Sequence, residues 1–376
     1  MEDSKLLSLM AKYRRDLHRI PELGYQEKET GAYIKKVLED MQCRVQPVVN
    51  TSVLAYFDFG RPQTLAFRGD MDGLPIREKT GLDFASGHAG LMHACGHDGH
   101  MANLLGFAHV VDEMKKSGRD VPFNALLIFQ PAEEIILGAR DISASGILDA
   151  YHVRNIYGMH LWPTVPAGVI ASRPGYMMSR STEVNVDIKG RSAHCAVREK
   201  GIDSLLAGCR FIESIYDYRA REISERCVVS FGRMESGEVR NAVAANTHIE
   251  GSLRTFSEET WQQLTGKMHA IARGLEEEMG VEITVDHSKE HQTVNNDEEL
   301  YRAIRPVLDS LDFHEMEEPD MISEDFSFYQ RRRPGVFFFT GTGSGIPLHS
   351  NNYDFDEKVL LSSVHLFERL FLFAKQ

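Results

Sequence analysis

No stretch of this 376-residue chain approaches the roughly 18–20 consecutive apolar residues that cross a bilayer, and "VFFFTG" and "LFERLFLF" both fall far short. A membrane-spanning role is excluded. Basic residues are also scarce: 42 Lys and Arg face 55 Asp and Glu, a formal charge of −13 at pH 7. Apart from the short "RRR" at 331–333 there is no clustered basic stripe, so nucleic acid is not an expected partner. Cysteine is sparse, odd in number and widely spaced: Cys43, Cys95, Cys195, Cys209 and Cys227. That pattern argues against a disulfide framework, and four of the five are expected to be inert packing residues. The opening "MEDSKLLSLMAKYRRDLHRI" is charged and amphipathic, without a continuous apolar core or a small-residue cleavage site, and a cytoplasmic location is expected. There is no internal repeat and no low-complexity tract.

What is present is an ordinary globular composition, 42% hydrophobic and 26% charged. The length exceeds the roughly 250–300 residues at which single cores stop growing, so one large or two modest domains are expected. In the first half, helical and strand patterns alternate. "KETGAYIKKVLEDM" has helical spacing, "TLAFRGDMD" is a strand ending in acids, and "HMANLLGFAHVVDEMKK" is helical again. "NALLIFQPAEE" is a buried strand running into a turn, followed by a helix expected at 139–149 and the strand "NIYGMHL". This rhythm points to an α/β fold, a mixed, largely parallel sheet flanked by helices, whose ligands gather beyond the carboxyl ends of the strands. From about residue 180 the order becomes β-α-β-β-α-β, that of a ferredoxin-like α+β unit. The expected division is a discontinuous catalytic, metal-binding domain at 1–179 and 290–376, interrupted by an inserted lid or dimerisation domain at 180–289.

The octet "HACGHDGH" at 93–100 concentrates metal-seeking side chains. Cys95 and His97 form a C-x-H pair after a glycine-containing turn and before a helix. Three readings are open: a metal site, a thiol nucleophile with a neighbouring base, or a histidine-bearing loop of no chemistry. Glu133 and Glu134 are adjacent carboxylates at the end of a buried strand, costly to bury side by side unless a cation compensates. His160 ends the strand "NIYGMH", and His349 lies in a turn after the buried strand 336–340. Together these features gather at strand ends on one side of one sheet.

The chain closely resembles the metallo-aminoacylase family of hippurate hydrolases, auxin-conjugate hydrolases and N-acetyldiaminopimelate deacetylases, with a zinc-exopeptidase-like core. The resemblance runs nearly end to end through "RRDLHRIPELGYQEKET", "FRGDMDGLP", "MHACGHDGHMANLLG", "FQPAEE", "GMHLWP", "GRSAH", "SEDFSFY" and "PLHS". It implies two divalent metal ions bridged by the Cys95 thiolate, one also held by His97 and His160, the other by Glu134 and His349. Such a donor set suits Zn, Mn, Co or Ni rather than calcium. Asp72 and Asp98 are implied as carboxylates that orient a ligand histidine. Asp70, which stands where related peptidases carry a ligand histidine, is left out of the ligand set, and His93 and His100 are read as supporting residues.

Glu133, free of metal, is implied as the general base that takes a proton from water and delivers it to the departing nitrogen. His194 in "GRSAH" matches a histidine that family members present to the oxyanion from the inserted domain, often across a dimer interface. Asn241 and Arg254 match residues that hold the substrate carboxylate. One departure stands out: where relatives run into a glycine-rich stretch, this chain has "EEIILGAR", so Ile135, Ile136 and Leu137 make the turn bulkier.

The leading expectation is thus a dinuclear metal-dependent amidohydrolase that cleaves small N-acyl-L-amino acids. N-acetyl-diaminopimelate, aminobenzoyl-glutamate and dipeptides are alternative substrates of the same chemistry. The competing expectations are a thiol amidase using Cys95 and His97, and a catalytically silent binding protein. A homodimer through the outer strand of the inserted domain is expected.

Overall fold

The computed structural model describes residues 2–290 and 292–375, the side chains of residues 288–290 excepted. The chain forms two compact units. The first comprises Met1–Met177, Val294–Pro319 and Asp325–Gln376; the second comprises Met178–Thr293 with Asp320–Glu324.

The first unit is built on an eight-stranded sheet. Its order is Arg44–Gln46, Val53–Phe57, Asn124–Gln130, Thr64–Asp70, Val153–Trp162, Gly335–Gly341, Ile170–Ser172, Phe313–Glu315. The four central strands, Asn124–Gln130 to Gly335–Gly341, run parallel to one another. Antiparallel pairings flank them, Val53–Phe57 on one side and Ile170–Ser172 on the other. Every residue of Thr64–Asp70, Asn124–Gln130 and Gly335–Gly341 is buried. That is why these strands read as unbroken apolar runs: both faces of a parallel sheet are covered by helices. Alternate side chains face opposite ways. Phe67 meets Phe107 and Phe367, at ring-centroid distances of 4.7 and 5.0 Å, from helices His97–Lys116 and Leu360–Leu372. On the far face, Phe337 packs at 5.0 Å against Phe326. Each such fully buried ring contributes ~2–3 kcal/mol of apolar burial.

The helix expected at 139–149 is two short ones, Gly138–Ala144 and Ile147–Ala150. Between them Gly146 adopts φ +79°, which ends the first helix and starts the second. The chain closes on helix Leu360–Leu372 after a 3₁₀ turn at Glu357–Val359.

The second unit is a four-stranded antiparallel sheet in the order Glu282–Glu290, Arg180–Lys189, Asn246–Thr255, Val228–Ser236. With helices Ser204–Glu222 and Glu258–Met279 this is the ferredoxin-like arrangement. Asp203 and Ser257 cap the two helices by accepting from the N–H groups of Leu206 and Thr260. Val184, Val186, Ile188, Phe211, Ile249, Leu253, Leu264 and Met268 fill the space between sheet and helices. No described helix is long and apolar enough to cross a membrane.

Candidate metal centre

Because the four central strands are parallel, their carboxyl ends open on one edge of the sheet, and the chain places its acids and imidazoles there. Thr64–Asp70 delivers Asp70 and Asp72. Asn124–Gln130 runs into the turn that carries Glu133 and Glu134. His160 stands near the end of Val153–Trp162, and the segment after Gly335–Gly341 carries His349. Cys95 and His97 enter from the start of helix His97–Lys116, where Gly96 adopts φ +91° and turns the chain into the helix.

These residues converge in two groups that share one sulfur. The ligand atoms of Cys95, His97 and His160 lie within 4.8 Å of one another, and so do those of Cys95, Glu134 and His349. Cys95 Sγ is 3.4 Å from His160 Nε2, and His349 Nε2 is 3.3 Å from Glu134 Oε1. Asp70, His97 and His100 meet the same limit, and so do His97, Glu133 and Glu134.

The hydrogen bonds fix which nitrogen of each ring is available. His160 Nδ1–H donates to the carbonyl of Leu161 at 2.7 Å, which leaves the Nε2 lone pair facing the sulfur. His97 Nδ1–H donates to the backbone carbonyl of Asp72 at 2.9 Å, and its buried Nε2 has no hydrogen-bond partner. An imidazole anchored through Nδ1 with a bare, buried Nε2 is the arrangement of a metal-ligating histidine.

The electrostatics point the same way. Burial, then Glu134, Glu133 and Asp70, push the Cys95 thiol well above its usual range. Burial and the neighbouring His100 push His160 well down, so this ring is neutral. Burial also pulls on His97, but Asp70, Asp72 and Glu134 outweigh it and hold its pKa at about 10. The pocket therefore carries an excess of negative charge around a thiol, which divalent cations at the bare nitrogens and the sulfur would neutralise. The donor set of one thiolate, three imidazoles and a carboxylate fits a pair of such cations. The raised thiol is the opposite of what a cysteine nucleophile needs.

The supporting shell differs from expectation in one place, Asp98. Asp72 faces His97 twice: its backbone carbonyl accepts from Nδ1–H, and its carboxylate Oδ1 lies 3.4 Å from the same nitrogen. The carboxylate also accepts the N–H groups of Glu133, at 3.1 Å, and Glu134, at 3.0 Å. Asp98 touches no ligand histidine. It accepts from His18 Nδ1 at 2.8 Å and Arg14 Nε at 3.2 Å, tying helix Asp3–His18 to helix His97–Lys116. One position along an α-helix turns a side chain by ~100°, so the neighbour of His97 cannot share its face. His100, one turn on, accepts the Leu161 N–H at Nε2 and donates from Nδ1 to Asp70 at 2.6 Å. His93 is buried, with burial pushing its pKa down to about 3.

Asp70 belongs to a fully buried network that sequence reasoning missed. Arg68 donates to Asp70 at 2.7 Å, to Gln130 at 2.8 Å and to Asp325 at 2.8 Å. Asp325 also accepts from Gln130 and from the N–H of Ala139, at 3.0 Å. The only sequence signal was an arginine in the middle of an otherwise apolar strand.

His194, Asn241 and Arg254 lie in the second unit. His194 and Ala242 form an isolated bridge, and Cys195 N–H donates to the carbonyl of Asn241 at 3.0 Å, so His194 and Asn241 are brought side by side. His194 is exposed and caps the 3₁₀ turn Cys195–Lys200 by accepting from Ala196 N–H. Arg254 is separate from them; it donates to the carbonyl of Met321 at 3.0 Å. A cleft of about 590 Å³ opens in this unit, lined by Lys189, Ser192, Ala242, Asn246 and His248 among others, and by none of the candidate ligands.

The model of peptidase family M20/M25/M40 matches residues 66–372 of this chain. Among curated proteins, the chain is 34% identical to the N-acetyldiaminopimelate deacetylase of Shouchella clausii, over 92% of this chain and 93% of that one. It is 33% identical to the enzyme of the same name from Lacticaseibacillus paracasei, over 97% and 96%. A solved structure from methicillin-resistant Staphylococcus aureus matches with a TM-score of 0.92 and 31% identity, covering 100% of this chain and 98% of that one. The Bacillus subtilis YXEP protein, described as a dinuclear metal binding peptidase, matches with a TM-score of 0.87 and 30% identity over 99% of both chains.

Proposed function

The chain belongs to peptidase family M20/M25/M40, and from that premise we propose that this metal-dependent amidohydrolase cleaves small N-acyl-L-amino acids to a carboxylic acid and a free amino acid. The observation that carries the reading is the pair of three-donor groups sharing Cys95 Sγ, with a second glutamate, Glu133, left outside both. Cys95, His97 and His160 would hold one divalent cation, and Cys95, Glu134 and His349 the other. The description of the Bacillus subtilis relative as dinuclear supports two ions; zinc, manganese, cobalt and nickel all suit these donors. When bound, such a pair polarises the amide carbonyl and lowers the pKa of a water toward neutrality.

The protein's own groups do the rest. Glu133, 8% exposed, takes the proton from the attacking water and hands it to the departing nitrogen. Its position is set by the grip of Asp72 on the N–H groups of Glu133 and Glu134. His194 faces the oxyanion, and Asn241 and Arg254 take the substrate carboxylate, Arg through its planar fork. The chain pairs with a second copy through an outer strand at the edge of the second unit's four-stranded sheet. The bulky turn after the glutamates, with Ile135 at 41% exposure, gives this site an apolar wall where the acyl or leaving group sits.

Two relatives at 34% and 33% identity are named N-acetyldiaminopimelate deacetylases, which favours N-acetyl-diaminopimelate as the narrower reading. The test is a panel of N-acetyl, N-benzoyl and diaminopimelate conjugates, aminobenzoyl-glutamate and dipeptides, assayed on metal-free and metal-reconstituted protein. Hydrolysis of N-acyl-L-amino acids that returns with added divalent metal supports the reading. A reconstituted protein inert toward the whole panel contradicts it, and light scattering that shows a strict monomer contradicts the dimer.

A further inference from the structure

The motif "RRDLHRIPELGYQEKET" at residues 14–30 contains a glutamate, Glu27, that the chemistry above does not use. Glu27 is 0% exposed. It stands at the N-cap of helix Lys28–Leu38, yet its side chain makes no capping hydrogen bond there. Its carboxylate turns away from its own helix. Oε1 accepts the N–H of Ala132 at 2.9 Å, and Oε2 accepts the hydroxyl of Thr51. Burying a carboxylate against neutral donors is costly, so a requirement at Ala132 is the natural reason for it.

Ala132 has such a requirement. Its φ is +58°, in the left-handed region that residues with a β-carbon avoid. The two N–H groups that follow, those of Glu133 and Glu134, go to the carboxylate of Asp72. Two buried carboxylates therefore hold three consecutive backbone N–H groups, and the turn so held carries both glutamates. The loop before Glu27 lies against the same turn: a β-carbon on Gly24 would come within 3.0 Å of Ala132 Cα and 3.1 Å of Ile135 Cδ1.

We propose that Glu27 is a positioning residue for the hydrolysis, holding Ala132 in its left-handed conformation and thereby setting where Glu133 and Glu134 stand. The inference rests on the reading of Glu133 as base and Glu134 as metal ligand. Its test compares full-length, metal-reconstituted wild type with Glu27→Ala, Glu27→Gln and the double variant Glu27→Ala/Ala132→Gly. Three readouts are taken: kcat and KM, metal affinity by chelator competition, and amide hydrogen exchange of residues 131–138.

Glu27→Ala should lower kcat by about 10- to 100-fold, the range for losing an outer-shell partner, with KM shifted less than about threefold. One of the two bound equivalents of metal should weaken, and faster exchange should be confined to residues 131–138. Glu27→Gln keeps an acceptor for the Ala132 N–H and should stay within about fivefold of wild type. Glycine accepts positive φ freely, so Ala132→Gly should restore part of the kcat lost in Glu27→Ala. A folded Glu27→Ala protein with kcat within about threefold of wild type and unchanged exchange at 131–138 overturns the proposal. So does an increase in exchange spread evenly through the chain. If Glu27→Ala does not fold, Thr51→Val decides: it should raise exchange at 131–138 and lower kcat, and no change in either overturns the proposal. Wild type inactive on every substrate would sink the functional reading instead, while exchange and metal affinity would still test the brace.

Discussion

Replacing Gly138 with alanine probes the turn that carries the two glutamates without touching either. An ideal β-carbon at Gly138 would sit 1.7 Å from the carbonyl oxygen of Pro131 and 2.9 Å from its carbonyl carbon. Ordinary contact is ~3.5–4.0 Å, so the two ends of the turn must part by roughly 2 Å. Residues 131 and 138 bracket Glu133 and Glu134, and the Gly138 N–H also donates to the carbonyl of Ala132 at 3.2 Å. Overpacking of this kind costs ~1–3 kcal/mol of stability. A base displaced by ~1 Å loses about 100-fold in rate. We expect Gly138→Ala to fold, with a urea midpoint lowered in line with that strain, and kcat reduced about 100-fold. Gly118→Ala is the control. Its φ is +66° with nothing within 4 Å of a β-carbon, so it should cost ~1–2 kcal/mol of stability with kcat unchanged. A Gly138→Ala enzyme with kcat within about threefold of wild type would show that the turn does not set the position of the base.

Other outcomes follow from the same contacts. Arg68→Ala leaves Asp70 and Asp325, both 0% exposed, without their shared cation, and urea denaturation should show a loss of ~3–5 kcal/mol; a loss under about 1 kcal/mol would mean that the network is dispensable. Iodoacetamide should label exposed Cys195 and Cys209 quickly and Cys95 slowly, with or without metal, because burial and the surrounding acids raise that thiol; fast labelling of Cys95 would revive a thiol nucleophile. Glu225 accepts from the N–H groups of Phe256 and Ser257, both at 3.0 Å; burial opposes the charge, but these and the Ser257 hydroxyl outweigh it, and its pKa is lowered. A depressed folded-state pKa gives stability that is present above the ordinary glutamate range and lost as pH falls through the lowered value; Glu225→Gln should flatten the acid limb of stability against pH, and an unchanged limb would assign that limb to other carboxylates.

Much of this architecture was legible from the chain because its signals are local. The apolar runs at 64–70, 124–130 and 335–341 announce buried parallel strands, and polar residues ending such runs announce the edge where ligands gather. What was not legible depends on distance and direction. Arg68 and Asp325 lie 257 positions apart, and Glu27 and Ala132 lie 105 apart, so no window of sequence shows either pair. The second role of Asp72, holding the N–H groups of Glu133 and Glu134, joins positions 61 and 62 apart, which spacing does not encode. Asp98 directly follows His97, but one step along the helix turns its side chain to His18 and Arg14 instead, a direction that the resemblance does not carry. The three-residue strands Ile170–Ser172 and Phe313–Glu315 are too short to carry a period of their own.

The convergence on Cys95 is tested most directly by titrating metal-stripped protein with zinc while bound metal and hydrolysis of an N-acyl amino acid are followed together. Activity should return as up to two equivalents bind, and Cys95→Ala should bind zinc more weakly at both positions and remain inactive. Full activity in the stripped protein, or a Cys95→Ala variant that takes up two equivalents with wild-type affinity, would contradict a shared sulfur at the heart of the site.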